Sequence, residues 1–311
     1  MKEKIKEIIA SIVYALYEKG ILKNHIHVAS IGETIDALIG TDNSLVRFGD
    51  GEITLISGIA SATQQGNSEL AGQLVQVLES NEDKLLVAIV DGFGSMSYLH
   101  RDSQSFWKKH FLKYRKDYSK YCHPEKTYYN ALVSRCYYPM KDRSKCTEWF
   151  ERIKYVWKDK KIVIVEGEKT HNGVGNDLFS KALEIKRILC PAQNAYEVYE
   201  KIMKSCLNFG REYLFLLSLG AAAKPLTYDL FKKGYRVIDI GNLDLEYEWY
   251  RNQAKGKTAI KKHEIVGISD NINAGYTDYL EEISFIVSGE QGMCHWHGKD
   301  INEAKNWIYI N

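Results

Sequence analysis

Residues 213–240 read YLFLLSLGAAAKPLTYDLFKKGYRVIDI, and this stretch decides the fold. The apolar run Tyr213–Leu217 is typical of a buried strand, and the loop Ser218–Ala223 leads into a helix that ends near Gly234. A second apolar run, Arg236–Ile240, predicts the next strand. Strands that alternate with helices in this way build parallel sheets.

The same alternation extends toward the N-terminus. Further strands are predicted at Leu45–Phe48, Leu85–Val90, Ile162–Val165 and Arg187–Cys190, and further helices at residues 30–40, 69–78, 148–157 and 195–206. Another helix is predicted directly after the loop Glu166–Asn176, whereas residues 102–145 show no clear pattern. The fold class that follows is α/β, with a Rossmann-like, mostly parallel sheet and helices on both faces.

The pattern predicts three segments of unequal weight. Residues 1–30 form an N-terminal helix whose Ile5, Ile8, Ile9, Ile12, Val13 and Leu16 share one face and which ends near Gly20. Residues 31–270 form the main domain. Residues 271–311 are expected to be a C-terminal appendage packed on that domain.

Composition limits the function classes. The 311 residues are 45% apolar and 26% charged with a formal net charge of +2, which is typical of a soluble globular protein and gives no basic face for nucleic acid. No apolar run approaches the roughly 20 residues of a membrane span, and the N-terminus does not resemble a signal peptide. The six cysteines contain no CxxC pair, so reduced thiols and a cytoplasmic location are expected.

The sharpest chemical feature is Asp50-Gly51-Glu52, which follows a predicted strand. Ligands of open parallel sheets bind beyond the carboxyl ends of the strands. Two carboxylates separated by one glycine can turn toward the same hard cation, and Mg²⁺ or Mn²⁺ would take its remaining ligands from water or phosphate. The alternative is a simple turn, because Gly-Asp-Gly is turn chemistry in itself.

The loop Glu166–Asn176 is rich in glycine and also follows a predicted strand. If it opens a helix, free backbone N–H groups and the helix dipole favour a phosphate there, with Lys169 and His171 adding charge or hydrogen bonds. The loop matches neither a P-loop nor a GxGxxG fingerprint. The alternative is that Asn176 only caps the helix.

The segment Asp239–Trp249 holds several carboxylates after another predicted strand. Asp244 and Glu248 are four positions apart and would share one helix face. A catalytic base or a ligand for an acceptor hydroxyl is one interpretation, with Asp244 nearest the strand ends. The other is a solvated helix start, where acidic residues suit the dipole.

Three weaker features complete the set. Cys294-His295-Trp296-His297 looks metal-like but has no partner pair nearby, so packing or surface histidines are the preferred interpretation. Asp91-Gly92-Phe93-Gly94 is either a bend at the edge of the site or only a turn. Arg135 is placed either to pair with phosphate or to bridge surface carboxylates.

Taken together, these segments resemble the GT-D-fold glycosyltransferases of bacteria, a family first known as a domain of unknown function. The matching stretches are Arg47–Glu52, Asn130–Arg135, Ile162–Phe179, Leu217–Ala223 and Ile238–Trp249, which run in one order from about residue 31 to residue 265. The chain departs from the family pattern at Ala221-Ala222-Ala223 and at Asn242.

The resemblance implies a GT-D-type domain that moves a hexose, such as glucose, from a UDP-sugar to a glycan or glycoprotein. It implies Mn²⁺ or Mg²⁺ on Asp50 and Glu52. The candidate catalytic residues are Asp244, Glu246 and Glu248. The candidate donor-binding residues are Arg47, Arg135, Lys169, Thr170, His171, Gly173, Gly175, Asn176, Gly220 and Ala221. Homo-oligomerisation stays open.

Two other functions use the same residues. A nucleotide phosphohydrolase would activate water at the metal, although the sequence shows no second cluster of His and Asp. A non-catalytic sensor would bind a nucleotide-sugar without turnover. Both metal carboxylates and the acidic segment are present, which favours the transferase.

Overall fold

The computed structural model describes residues 2–23, 25–263, 276–287 and 308–309. The strands are β1 (His27–Val28), β2 (Ser44–Arg47), β3 (Leu85–Ile89), β4 (Thr127–Asn130), β5 (Lys161–Gly167), β6 (Glu184–Cys190), β7 (Tyr213–Ser218), β8 (Arg236–Asp239), β9 (Ile283–Ile286) and β10 (Ile308–Tyr309). The helices are α1 (Lys2–Glu18), α2 (Ile31–Asp36), α3 (Asp50–Ile56), α4 (Ser68–Glu79), α5 (Arg101–Tyr121), α6 (Cys146–Ile153), α7 (Tyr199–Cys206), α8 (Ala223–Lys232), α9 (Leu243–Arg251) and α10 (Tyr276–Glu282).

These strands form one sheet in the order β1-β4-β3-β2-β8-β7-β5-β6-β9-β10. Every pairing between neighbouring described strands is parallel. The predicted α/β fold with a parallel sheet is therefore confirmed. The unit β7-α8-β8 is present as expected, and β3 and β8 contribute fully buried apolar residues to the core.

The order of the strands reverses between β2 and β8. From β2 the chain continues through β3 and β4 to one side, whereas β5 to β10 lie on the other side, and Leu45 of β2 pairs with Ile238 of β8. In open parallel sheets such a reversal opens a crevice beyond the carboxyl ends of the strands, and ligands bind there. The loops after β2 and β8 are therefore the first place to look for a site.

The region that had no clear sequence pattern is mostly helix. Helix α5 packs against α1, and Tyr14 of α1 donates a hydrogen bond of 2.8 Å to the carbonyl of Gly92. A side chain at Gly92 would place its Cβ 1.9 Å from the Phe111 ring of α5. Asp91-Gly92-Phe93-Gly94 thus packs against α5, and the chain bends at Phe93 and Gly94. The isoleucine face of α1 is largely exposed, with Ile8 at 60%.

Two described regions after residue 263 contribute to the sheet. Residues 276–287 contain α10 and β9, and β9 pairs with β6 through Ile188 and Phe285. The second region is β10, which pairs with β9. Cys294-His295-Trp296-His297 lies outside the described residues. The five cysteines that are described are buried and are not joined in disulfides with one another. None of the helices in the described part of the chain combines the length and the apolarity that a membrane crossing requires.

Candidate functional site

A cleft of about 960 Å³ lies at the carboxyl ends of β2, β5, β6, β7 and β8. It includes the point where the strand order reverses. The residues named from the sequence that line it are Arg47, Asp50, Glu52, Arg135, Lys169, Thr170, Gly220 and Ala221. Most of the loops that follow predicted strands contribute to this lining, whereas Asp91-Gly92 does not.

Asp50 begins α3 directly after β2 and is exposed to the cleft. Its carboxylate forms no ion pair with another residue in the described part of the chain. Desolvation by the surrounding protein and the negative charge of Glu52 raise the pKa of Asp50 above its usual value, against the smaller opposing effects of Arg135 and Lys257. Asp50 is therefore an open carboxylate that a cation would stabilise in its charged form.

Glu52 is buried and already has partners for both oxygens. Its Oε2 accepts a hydrogen bond of 2.7 Å from the backbone N–H of Gly49, which caps the start of α3. Its Oε1 lies 3.1 Å from Nζ of Lys224. Lys224 also lies 3.1 Å from Asp239 and donates to the carbonyl of Gly220 at 2.9 Å. Glu52 therefore fixes the floor of the cleft.

Arg47 lines the cleft, but its guanidinium is hydrogen-bonded to residues of the protein. Its Nε donates to the carbonyl of Asp239 at 2.6 Å, its Nη2 lies 2.9 Å from Oδ1 of Asp239, and its Nη1 donates to the carbonyl of Ala131 at 3.1 Å. Gly241, with φ of +43°, leaves room for this side chain, because a Cβ there would lie 1.8 Å from Nη2. Burial alone would raise the pKa of Asp239, but Arg47 and Lys224 outweigh it and lower that pKa.

Arg135 is a cation at the cleft whose guanidinium is available to a ligand. It follows the 3-10 turn Ala131–Ser134 and is half-buried. Its side chain makes no hydrogen bond with any residue that the structure describes. It lines the cleft, as Asp50 does, and its charge lowers the pKa of Asp50. Of the two arginines named from the sequence, Arg135 is the one placed to meet a ligand.

The prediction that the glycine-rich loop opens a helix is wrong. The chain passes from β5 through turns to β6 without a helix, so no helix dipole acts at this loop. Glu166, which is fully buried, holds the loop instead. Its Oε2 accepts from the backbone N–H and the side-chain amide of Asn172 at 2.7 and 2.8 Å, and its Oε1 lies 2.6 Å from Arg187.

The loop divides into two halves with different surroundings. Lys169 and Thr170 line the cleft. His171 is buried, and its Nδ1 lies 2.6 Å from the carbonyl of Lys262. His171, Gly173, Gly175 and Asn176 are absent from the lining of the cleft, although Asn172 between them is part of it.

Asp244 is fully buried at the start of α9 and holds this second half in place. Its Oδ1 accepts from the backbone N–H of Gly173 at 2.8 Å and from the amide of Asn176 at 2.7 Å, and its Oδ2 lies 2.8 Å from Lys262 and 2.9 Å from His263. Burial alone would raise the pKa of Asp244, but the hydrogen bond from His263 and the charges of Lys262 and His263 lower it to about 2. A carboxylate so acidic is a weak base.

Glu246 and Glu248 are also turned into the protein. Oε2 of Glu246 accepts from the backbone N–H groups of Tyr137 and Tyr138 at 3.1 and 2.7 Å. Oε1 of Glu248 accepts from Lys262 at 2.9 Å and Asn176 at 2.6 Å. None of the three acidic residues of α9 lines the cleft. The acidic segment therefore behaves as a buried scaffold, which neither sequence interpretation described.

Residues 45–267 match the family described as Glycosyltransferase GT-D fold, which is most of the chain. The chain belongs to this family. It is 39% identical over 244 residues to a probable glycosyl transferase, Gly, of Streptococcus gordonii, covering 78% of this chain and 36% of the relative. It is 38% identical over 234 residues to the glycosyltransferase GlyD of Streptococcus pneumoniae serotype 4, covering 75% of this chain and 28% of that protein. The chain thus spans about a third of the length of these curated relatives.

Solved structures of GT-D proteins agree with this assignment. A structure of the highly conserved domain of unknown function 1792, described as having a distinct glycosyltransferase fold, has a TM-score of 0.79 and 36% identity, covering 85% of this chain and 96% of that one. A glycosyltransferase of the same domain family from Streptococcus sanguinis has a TM-score of 0.76 and 35% identity, covering 83% of this chain and 98% of that one.

The GT-D cleft also has walls that the sequence analysis missed. The loop after β6, at Pro191-Ala192-Gln193, lines it together with Ser61-Ala62-Thr63-Gln64. The two loops are joined by the hydrogen bond from the backbone N–H of Asn194 to the carbonyl of Thr63 at 2.9 Å. The strand-end rule could have found the first loop, because it follows a predicted strand. Nothing local distinguishes the second loop or Lys224.

The carboxylate of Asp50 fits a divalent cation whose remaining ligands come from a bound molecule and water. Among the residues that the structure describes, no group of three or more His, Cys, Asp or Glu side chains could enclose a metal ion. Mg²⁺ in phosphate-binding sites commonly uses one or two carboxylates and takes its other ligands from substrate phosphates and water. Asp50 offers such a carboxylate, and Glu52 adds negative charge beside it.

Proposed function

We propose that this protein transfers a hexose, such as glucose, from a UDP-sugar to a glycan or glycoprotein acceptor with the help of Mn²⁺ or Mg²⁺. The observation that carries the proposal is the open Asp50 carboxylate at the reversal of the strand order, in a cleft of about 960 Å³. That volume is at the upper end of the range for ligand pockets and is ample for a nucleotide-sugar. A cytoplasmic location and homo-oligomerisation stay predictions.

The nucleotide end of the donor is proposed to lie along β5, β6 and β7. Lys169 and Thr170 line this part of the cleft, and so do Gly220 and Ala221 at the turn that leads into α8. Backbone N–H groups at the start of a helix favour a phosphate. The helix that supports the diphosphate is therefore proposed to be α8, rather than a helix after the glycine-rich loop.

The residues around Asp50 are proposed to place the diphosphate for cleavage. A cation bound by Asp50 would offset the negative charge that develops on the leaving nucleoside diphosphate. Arg135 would add a guanidinium, which matches phosphate oxygens with two parallel N–H groups. Lys224 and Glu52 hold each other at 3.1 Å and so keep the start of α3, and with it Asp50, in a fixed position.

Asp244 is proposed to be a positioning residue. It holds Gly173 and Asn176, while Glu166 holds Asn172, so two buried carboxylates fix the loop that carries Lys169. Its low pKa and its absence from the cleft lining disfavour the role of proton acceptor. Donor affinity, rather than proton transfer, is the property that should depend on it.

The test is to incubate the purified protein with UDP-glucose, UDP-galactose and UDP-N-acetylglucosamine, with Mn²⁺, with Mg²⁺ or with EDTA. We expect slow release of UDP and free sugar from at least one donor in the presence of metal, and none with EDTA. Release of phosphate or UMP would identify a phosphohydrolase instead. Binding of UDP without any product would identify a sensor.

A further inference from the structure

A second cavity of about 390 Å³ adjoins the cleft on the other side of Asp50. The two spaces share Arg47, Gly49, Asp50 and Arg135, so they meet at the open carboxylate. A group-transfer enzyme needs two substrate sites that meet at the reacting atoms. This second space, called the aromatic cavity below, is where the second substrate would approach.

Aromatic rings and charged groups line the aromatic cavity together. Phe106 of α5 is 49% exposed, and its ring meets Trp107 edge to face at a centroid distance of 5.2 Å. Tyr138 also lines the cavity, and Nζ of Lys257 lies 5.2 Å from its ring centroid. Asp102, which is exposed, also lines the cavity.

These surroundings match the two kinds of surface that a sugar ring presents. The C–H face of a pyranose can lie against an aromatic ring, and its hydroxyls need charged or polar partners in the same pocket. The exposed ring of Phe106 supplies the first, and Asp102 and Lys257 supply the second.

The cavity is also held in shape from behind. Glu246 accepts from the backbone N–H of Tyr138 at 2.7 Å, and the His100 ring meets the Tyr138 ring edge to face at 4.8 Å. A buried carboxylate of α9 thus fixes one wall of a space that it does not itself line. Such support lowers the entropic cost of binding.

A more open hollow continues outward from the same ring. It is shared by Asp50, Asp102 and Phe106, extends past Thr54 and Lys113, and has a volume of about 530 Å³. A single sugar would not need this space, whereas further units of an oligosaccharide would lie along it.

We infer that the aromatic cavity binds the terminal sugar of a glycan acceptor, with Phe106 stacking on the ring and Asp102 accepting a hydrogen bond from a hydroxyl. The inference rests on the proposed function, because it takes the cleft to be the donor site. It names a saccharide, rather than a peptide side chain, as the group that receives the hexose.

Three variants of the full chain test it. Phe106→Ala removes the exposed ring, and Phe106→Trp keeps an aromatic face. Tyr155→Ala is the matched control, because Tyr155 is similarly exposed, at 47%, and follows α6 rather than lining either cavity. The probes are methyl β-glucoside, methyl β-galactoside, methyl β-N-acetylglucosaminide and a short peptide containing serine and threonine. Binding is followed by saturation-transfer NMR in the presence of UDP and Mg²⁺. Mg²⁺ takes the place of Mn²⁺ because it is diamagnetic.

We expect at least one glycoside to bind the wild type, Tyr155→Ala and Phe106→Trp, with saturation strongest at the C–H protons of one ring face. In Phe106→Ala its affinity should fall at least about tenfold, a loss of about 1.4 kcal/mol. UDP affinity, measured by calorimetry, should be equal in all four proteins. Unfolding temperatures equal within error would show that Phe106→Ala is folded.

Three results would overturn the inference: unchanged glycoside binding in Phe106→Ala, a loss of UDP affinity in that variant, or binding of the peptide with none of the glycosides. Failure of the proposed function looks different. If the wild type binds no UDP and cleaves no UDP-sugar, the donor assignment fails, while Phe106-dependent glycoside binding would still support a saccharide site.

Discussion

The starts of α3 and α9 look alike in the sequence and differ in the structure. Each follows a strand next to the reversal of the strand order, and each places acidic residues in its first turn. Asp50 of α3 opens to the cleft without an ion-pair partner among the described residues, whereas Asp244 of α9 is fully buried and pairs with Lys262 and His263.

The difference teaches what an acidic helix start can do. Where no basic side chain reaches the carboxylate, its charge stays available for a ligand, and desolvation by the protein around it raises its pKa. Where basic groups reach the carboxylate, its pKa falls, to about 2 for Asp244. The carboxylate then holds a neighbouring loop in place instead of binding a ligand. Function at the first site and stability at the second should therefore respond separately to substitution.

The largest effect is expected for Asp50→Asn, measured as the rate of UDP release from the best UDP-sugar with saturating Mn²⁺. Loss of the cation ligand should cost several kcal/mol in the transition state, about a thousandfold in rate. The free energy of unfolding should change by less than about 0.5 kcal/mol, as for surface substitutions.

Asp42→Asn is the matched control, since that side chain is 84% exposed and precedes β2 instead of following it. It should leave both the rate and the stability unchanged. Full activity of Asp50→Asn, or activity that resists EDTA, would contradict the proposal that Asp50 binds a metal ion. The functional difference between Asp50 and Asp244 would then lose its support.

A smaller but still large effect is expected for Asp244→Asn, now on stability. Removing the negative charge leaves Lys262 buried with less compensation, which should cost about 3 kcal/mol at pH 7. Because the folded-state pKa of Asp244 is lowered to about 2, its stabilisation is present above the unfolded value near 4 and is lost as the pH falls from about 4 to about 2.

Urea unfolding of Asp244→Asn and the wild type between pH 7 and pH 2 measures this difference, which should shrink at acid pH. UDP affinity should also fall, because the loop that carries Lys169 loses its support at Gly173 and Asn176. A stable variant with normal UDP affinity and a rate reduced about a hundredfold would instead return Asp244 to the role of catalytic base.

The smallest effect is expected for Glu246→Gln. The amide oxygen can still accept from Tyr137 and Tyr138, and Oε1 of Glu246 has no hydrogen-bond partner in the part of the chain that the structure describes. The cost at pH 7 should therefore be below about 1 kcal/mol.

The pH dependence of this variant has the opposite sign to that of Asp244→Asn. Burial raises the pKa of Glu246, so its contribution to stability is fully present below the unfolded value near 4.5 and is lost as the pH rises through the folded value. Relative to the wild type, Glu246→Gln should become more stable as the pH rises above about 4.5. If Glu246→Gln instead lost several kcal/mol of unfolding free energy at pH 7, the charged carboxylate of Glu246 would be stabilising, as that of Asp244 is expected to be.

Much of the fold follows from local pattern. The strands near 45, 85, 162, 187, 213 and 236 lie within a few residues of their predicted bounds, because a buried parallel strand must be a short apolar run. Ser30 and Glu33 have the spacing of a capping box at the start of α2, and both of its hydrogen bonds form, at 2.8 and 3.2 Å. The helix predicted after Asn176 failed because glycines and polar residues can be held in turns by distant carboxylates, here Glu166 and Asp244.

The sequence by itself determined the parallel sheet, the edge on which the site lies and the presence of Asp50 there, since these depend on residues close together in the chain. Only the tertiary structure decided which charged side chains remain available to a ligand. Arg47 meets Asp239 across 192 positions, and Lys224 joins Glu52 to Asp239 beneath the cleft. An ion pair needs two charges within a few ångströms of each other. The sequence does not show which residues far apart in the chain the fold brings that close.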